Sequence, residues 1–258
     1  MNQSELKKIA ELCSEKVKAT IKNITFFEEP FKHAVVDNFF PDDFAKKLLE
    51  KFPDINSSIW EMTNDVDIEV KLRTMWKSEF DIPDGIVEAI RILNSSLMLN
   101  AMSDLFGIYK IMPDPYFSGG GLNVTVSGGL LDVHVDGNYH DASGLNRRLN
   151  AILYLNPEWQ EGWGGEFGLY DSTGDNLVKK VAPIHNRLVI FDTNDYSFHG
   201  LPDPLNFPVD KVRKSIILYY YTKESRPSSQ VAFEAPHSAL WKKKGLKDKK
   251  GNISRDFI

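Results

Sequence analysis

The stretch "VRKSIILYYYT", residues 212–222, alternates with a two-residue period. In an extended strand, Arg213, Ser215, Ile217 and Tyr219 leave one face, and Ile216, Leu218 and Tyr220 leave the other. Apolar residues on both faces require cover on both, so this strand lies inside the protein. One face meets the interior of a β structure, and the other meets a helical layer.

Further short runs rich in β-type residues lie upstream: "LNVTVS", "LLDVHVD", "LNAILYLN", "GEFGLYD", "LVKKVAP", "RLVIFD" and "YSFHGL". Gly, Pro, Asn and Asp separate them. Eight short strands punctuated in this way indicate a sandwich or barrel, not a parallel α/β sheet. Before residue 110 the pattern is mainly helical. Leu6, Ile9, Ala10, Cys13 and Val17 recur at helical spacing over 4–22, with Ser4 as the expected N-cap. "HAVVDNFF" (33–40) reads as a strand, and Pro41-Asp42-Asp43 opens a helix to about Phe52. Residues 84–106 read as helix broken near Asn94, and 53–80 read as irregular. No Pro/Ser-rich linker divides the chain. The expectation is one domain over 1–258: a mainly helical support (1–110), a β core (111–225) and a C-terminal extension (226–258).

Bulk properties exclude several classes of function. The chain has 258 residues, 42% hydrophobic and 26% charged, with a net charge of −5. That is ordinary for a globular protein and unlike a nucleic-acid binder with its basic stripe. Cys13 is the single cysteine, so neither an intrachain disulfide nor a thiolate metal cluster can form. The start of the chain has no apolar leader, and no run approaches the roughly 20 apolar residues that cross a bilayer. A cytoplasmic protein with neither membrane nor nucleic-acid partner is expected; oligomeric state is not readable. The basic stretch "WKKKGLKDKKGNISRDF" (241–257) reads as a solvated, frayed tail in preference to a binding patch.

The chemistry centres on "LDVHVDGNYH" (131–140). His134 and Asp136, two apart on a strand, leave the same face. An H-x-D pair alone is weak evidence of a metal site, and a strand-end turn beside a satisfied histidine explains it more readily. A third ligand is needed, and His199 in "YSFHGL" is the best candidate. Two imidazoles and one carboxylate form a facial triad suited to Fe(II), with coordination positions left open. Arg213 begins an otherwise apolar strand, where an inward guanidinium is costly unless it meets an anion. Its fork suits a carboxylate; Ser215 on the same face and the Tyr154 phenol can join it. A buried structural ion pair for Arg213, and plain core packing for Tyr154, remain open on the residues alone. Trp60, Trp76 and Trp163 suit core packing better than a pocket wall, and His140 reads as an exposed loop histidine.

The ordered set "HVDG", "RRLNAILYLNPEW", "GWGGEFGLYD", "NRLVIFDTNDYSFHG" and "RKSIILYYYT" resembles the 2-oxoglutarate and Fe(II)-dependent dioxygenases, in particular their prolyl 4-hydroxylase-like branch. The resemblance runs from about Leu122 to Thr222. It implies a mainly β (α+β) fold, a double-stranded β-helix of jelly-roll or cupin-like form, with N-terminal helices packed on one sheet. It makes His134, Asp136 and His199 the iron ligands, and Arg213, Tyr154 and Ser215 the contacts of 2-oxoglutarate. Phe167 is expected to line the cosubstrate slot, and Asn123 or Thr125 to supply hydrogen bonds. The implied enzyme hydroxylates an unactivated C–H bond with O2, converting 2-oxoglutarate to succinate and CO2; ascorbate is an accessory reductant in such systems. Asp136, where related halogenases carry a small residue, favours hydroxylation. A prolyl or other residue in a protein is the substrate this implies, with a free amino acid or other small metabolite as the alternative. A third reading is a non-catalytic cupin-like protein that binds metal or sugar.

Overall fold

The computed structural model describes residues 1–253. Its helices are α1 (Gln3–Lys18), α2 (Asp42–Glu50), α3 (Ile86–Leu93) and α4 (Ser96–Phe106). Asn2, not Ser4, caps α1: its side chain accepts from Glu5 N while the Glu5 carboxylate accepts from Asn2 N, a reciprocal box. The expected break at Asn94 separates α3 from α4, and Ser95 caps the second helix through Met98 N.

The strands are β1 (Phe26–Phe27), β2 (His33–Val36), β3 (Trp60–Asp65), β4 (Glu69–Thr74), β5 (Met112–Pro113), β6 (Gly121–Thr125), β7 (Leu130–Val135), β8 (Asn146–Tyr154), β9 (Phe167–Tyr170), β10 (Leu177–Val181), β11 (Arg187–Asp192), β12 (His199–Leu201), β13 (Arg213–Thr222) and β14 (Leu240–Trp241). All eight runs read from the sequence are strands, β6 to β13. The main order is β1-β2-β11-β8-β13-β6-β4-β7-β12-β9-β10, and each ladder is antiparallel.

The sheet curls so that its two halves face each other. Ile152 and Tyr154 of β8 and Val189 and Phe191 of β11 pack with Phe167 and Leu169 of β9 and Val181 of β10. On the outer face, Leu149, Ala151 and Leu153 of β8 join Ile216, Leu218 and Tyr220 of β13 against residues of all four helices. This is the double-stranded β-helix with a helical layer on one sheet, and the period-2 pattern of β8 and β13 produces it. Among the described residues, no helix is long and apolar enough to cross a membrane.

Two regions differ from expectation. Residues 53–80 are not irregular throughout, because they contain the β3–β4 hairpin. Strand β4 pairs with β6 through Leu72 and Arg73 and with β7 through Glu69 and Val70, bridging the place where those core strands part. Its inward residues are Glu69, Lys71 and Arg73, so its apolar signal is only Val70 and Leu72. The C-terminal segment is not a frayed tail over its described length. β14 pairs with β7, Leu240 and Trp241 are buried, and Lys243 N donates to Asp132 Oδ2 at 2.9 Å. Residues 254–257 of that basic stretch lie outside the described residues.

Candidate metal centre and anion pocket

His134 lies near the end of β7, Asp136 follows that strand, and His199 starts β12. The β12–β7 ladder sets His199 directly opposite His134, with ring centroids 4.3 Å apart. One ligand atom from each of the three residues lies within 4.8 Å of the others. His134 Nε2 is 3.8 Å from Asp136 Oδ1, and His199 Nε2 is 3.9 Å from Asp136 Oδ2. Each histidine donates from Nδ1 to the carbonyl two residues earlier, His134 to Asp132 at 2.8 Å and His199 to Ser197 at 2.9 Å. A carbonyl can only accept, so the proton sits on Nδ1 and both Nε2 lone pairs face the shared centre.

Burial, and then the charge of His199 alongside, pushes the His134 pKa down to about 3; burial also lowers His199. Neutral imidazoles, the metal-binding form, are thus present at neutral pH. Burial alone would raise Asp136, but His199, Arg147 and His134 outweigh it, with a hydrogen bond from Asn150 Nδ2 at 3.2 Å. The result is a carboxylate held below its ordinary value. Trp241 stacks on His134 at 4.5 Å, and Phe191 meets His199 edge-on at 4.8 Å.

The triad opens into a cavity of about 1310 Å³, which Arg213, Ser215, Asn123, Thr125 and Phe167 also line. Arg213 is 6% exposed, and among the described residues it pairs with no acid. Its Nε donates to Gly165 O at 2.8 Å and its Nη2 to Tyr154 Oη at 3.3 Å. The glycine of "GWGG" is required here. A Cβ on Gly165 would lie 2.9 Å from Arg213 Cδ, and its φ of +79° suits glycine. Ser215 Oγ is fully buried with no hydrogen-bond partner among the described residues. An uncompensated guanidinium beside an unsatisfied hydroxyl is the donor set that a carboxylate would complete. Burial raises the Tyr154 phenol, with Arg213 opposing, so the proton stays on as a further donor. The residues present therefore fit a divalent metal at one end of the cavity and a carboxylate at the other.

All six residues expected at the site stand on one cavity or against it, with Tyr154 reached through Arg213. The other cations near Arg213 point elsewhere. Lys211 pairs with Glu158 and Asp210, and Lys214 lies over the Phe52 ring on the outer side. Trp60 and Trp76 belong to the helical core, and Trp163 packs on Phe207. His140 corrects the sequence expectation: it is 2% exposed, and its Nε2 lies 2.9 Å from Asp114 Oδ1.

Arg147, Asn150 and Trp241 escape a reading of the sequence. Asn150 is accessible to one in principle, since it shares the Tyr154 face of β8. Arg147 is not, because a register shift pairs Tyr220 with Leu149 but Tyr221 with Arg147. The shift carries Arg147 into the cavity, where Nη1 stands 3.9 Å from Asp136 Oδ1 and the guanidinium lies 3.9 Å over the Tyr219 ring.

Residues 120–221 match the sequence model of the 2OG-Fe(II) oxygenase superfamily. Among curated relatives, mouse prolyl 3-hydroxylase OGFOD1 is 34% identical over 102 residues, which is 38% of this chain and 18% of the mouse protein. The Xenopus laevis protein of that name is 39% identical over 71 residues, or 26% of this chain and 14% of that one. The chain thus spans less than a fifth of the length of these relatives. Among solved structures, a Pseudomonas putida prolyl-4-hydroxylase superposes with a TM-score of 0.57 at 18% identity, covering 81% of this chain and 99% of that one. A Trichoplax adhaerens prolyl hydroxylase, solved with a hypoxia inducible factor peptide, gives 0.55 at 20% identity over 86% and 94%. HygX from Streptomyces hygroscopicus, solved with nickel, 2-oxoglutarate and hygromycin B, gives 0.52 at 9% identity over 90% and 98%. These structural likenesses establish the shared fold.

Proposed function

We propose that this chain, whose residues 120–221 match the 2OG-Fe(II) oxygenase model, is a member of that superfamily and a hydroxylase acting on a prolyl residue of a protein substrate. One observation carries the reading: a buried two-histidine, one-aspartate cluster shares a cavity with an uncompensated arginine and an unsatisfied serine. A protein that merely binds metal or sugar has no need of the second half of that arrangement. The prolyl assignment is supported by the two prolyl 3-hydroxylase relatives and the prolyl hydroxylase structures.

His134, Asp136 and His199 would hold Fe(II), and Arg213, Ser215 and Tyr154 would take the distal carboxylate of 2-oxoglutarate. Bound there, Fe(II) with 2-oxoglutarate and O2 supplies the oxidising power that hydroxylates a C–H bond, yielding succinate and CO2. The chain's own contribution is positional. The Asp132 and Ser197 carbonyls fix both imidazoles, and Asn150 and Arg147 hold Asp136 ionised. Arg213, steered by Gly165 O, aims its fork into the cavity while Tyr154 keeps its proton to donate. Phe167 and Phe191 pack around His199 and exclude water from that side.

The test begins anaerobically. Fe(II) and 2-oxoglutarate should give a weak visible charge-transfer band whose dependence on 2-oxoglutarate weakens in Arg213→Ala. Oxygen and a panel of proline peptides should then give succinate together with a peptide gaining one oxygen by mass spectrometry. Absence of the band overturns the oxygenase reading. A band accompanied by oxidation of a free amino acid, but of no peptide, overturns the protein-substrate part.

A further inference from the structure

The mouth of the cavity has its own chemistry, separate from the metal centre and the carboxylate pocket. Its two walls come from distant parts of the chain: the inward face of β4, and the segment that follows β14. Strand β4 presents Lys71 and Arg73; the C-terminal segment presents Lys247, Lys249 and Lys250. Against these five cations stand two acids, Glu69 on β4 and Asp248 on the C-terminal segment.

Glu69 is buried and receives two of the cations, Lys71 at 2.8 Å and Lys249 from across the mouth. It therefore ties the two walls together and leaves one positive charge over. Asp248 is buried and turned into its own loop, accepting from Lys250 N and Asn252 N at 2.8 Å. Lys247 and Lys250 are exposed at the rim. Arg73 Nε is buried without a hydrogen-bond partner among the described residues. Arg147 inside the cavity and the exposed Asp141 on its lining add one charge of each sign. The surplus of cations contrasts with the chain as a whole, whose net charge is −5. Lys71 also lies near enough to the centre for its charge to act on both His134 and His199.

We propose that the mouth selects an acidic peptide segment, its carboxylates flanking the residue that is oxidised. This rests on the hydroxylase reading above and names the substrate class of that site. Cations on two facing walls suit an extended chain with acids on either side of the reacting residue better than a compact anion with one charged group. The collar steers such a segment inward and disfavours a basic one.

The test uses the full chain with Fe(II) and 2-oxoglutarate under anaerobic conditions, and fluorescein-labelled peptides with one central proline flanked by Glu, Gln or Lys. Fluorescence anisotropy should show the Glu peptide binding about tenfold tighter than the Gln peptide at low salt, and the Lys peptide weakest. Added salt should narrow the difference. The double variant Lys247→Glu/Lys250→Glu, at exposed positions that folding tolerates, should abolish or invert the order. Equal binding of the three peptides, or an order unchanged in that variant, overturns the proposal. So does failure of every peptide to bind while the charge-transfer band forms, an outcome that leaves the oxygenase reading standing. A charge-ordered series without the band would do the reverse.

Discussion

The two faces of β13 share one backbone and carry opposite duties. Ile216, Leu218 and Tyr220 are buried against the helical layer, whereas Arg213, Ser215, Ile217 and Tyr219 line the cavity. The period of two places adjacent residues in environments that differ in almost everything but position. The lesson is that a single strand can hold stability on one side and chemistry on the other, so substitutions one residue apart should fail in different ways.

The largest effect tests the cavity side at its metal end. His134→Ala and Asp136→Ala should each lower succinate formation by more than about 100-fold while leaving the fold intact by circular dichroism. Substantial residual turnover would break the assignment.

Next come neighbours on opposite faces of β13. Arg213→Ala should raise the 2-oxoglutarate concentration for half-saturation by about 10–100-fold, through loss of a charged hydrogen-bond donor. Leu218→Ala should instead cost about 2–5 kcal/mol of stability, read by denaturant unfolding, with 2-oxoglutarate affinity retained. If Arg213→Ala unfolds the chain as readily as Leu218→Ala, the two faces are not separable.

A pH titration reports on a buried group outside the site. Burial holds His33 at about 4, below its ordinary 6.5. Between those values the unfolded chain binds more protons than the folded one, so stability is lost as pH falls through the window. At pH 5 the loss from this residue is about 2 kcal/mol. His33→Phe, which keeps an aromatic ring beside Phe27, should flatten that slope in urea unfolding. The smallest effect is expected from Tyr154→Phe, which should raise half-saturation by 2-oxoglutarate about threefold.

The strands of the core and the His134–Asp136 pair were legible because each depends on local spacing: alternation for β6 to β13, and i, i+2 placement for the pair. His199, on a distant strand, was reached only as a candidate third ligand and through the ordered motifs of the resemblance. What escaped was set by distant partners. β4 escaped because Glu69, Lys71 and Arg73 are polar yet face inward, and their compensation comes partly from Lys249. Trp241 carries no sign in the sequence that it will stack on His134. His140 reads as a loop residue until Asp114, from before the first core strand, is brought to it. Arg147 was hidden by a register shift that only the β8–β13 pairing defines.

Gly137, directly after the metal pair, ties these late-arriving parts to the centre. A Cβ there would lie 2.9 Å from His237 O and 3.1 Å from Ser238 Cα, so the backbone of the C-terminal segment rests against it. The same segment then supplies β14 and Trp241 to the flank of His134. Closure of that contact joins residues far apart along the chain, and such contacts form late in folding because of the chain entropy they cost. Metal affinity should therefore appear at the end of refolding and not with the first strands, making the ion a reporter of the final docking step.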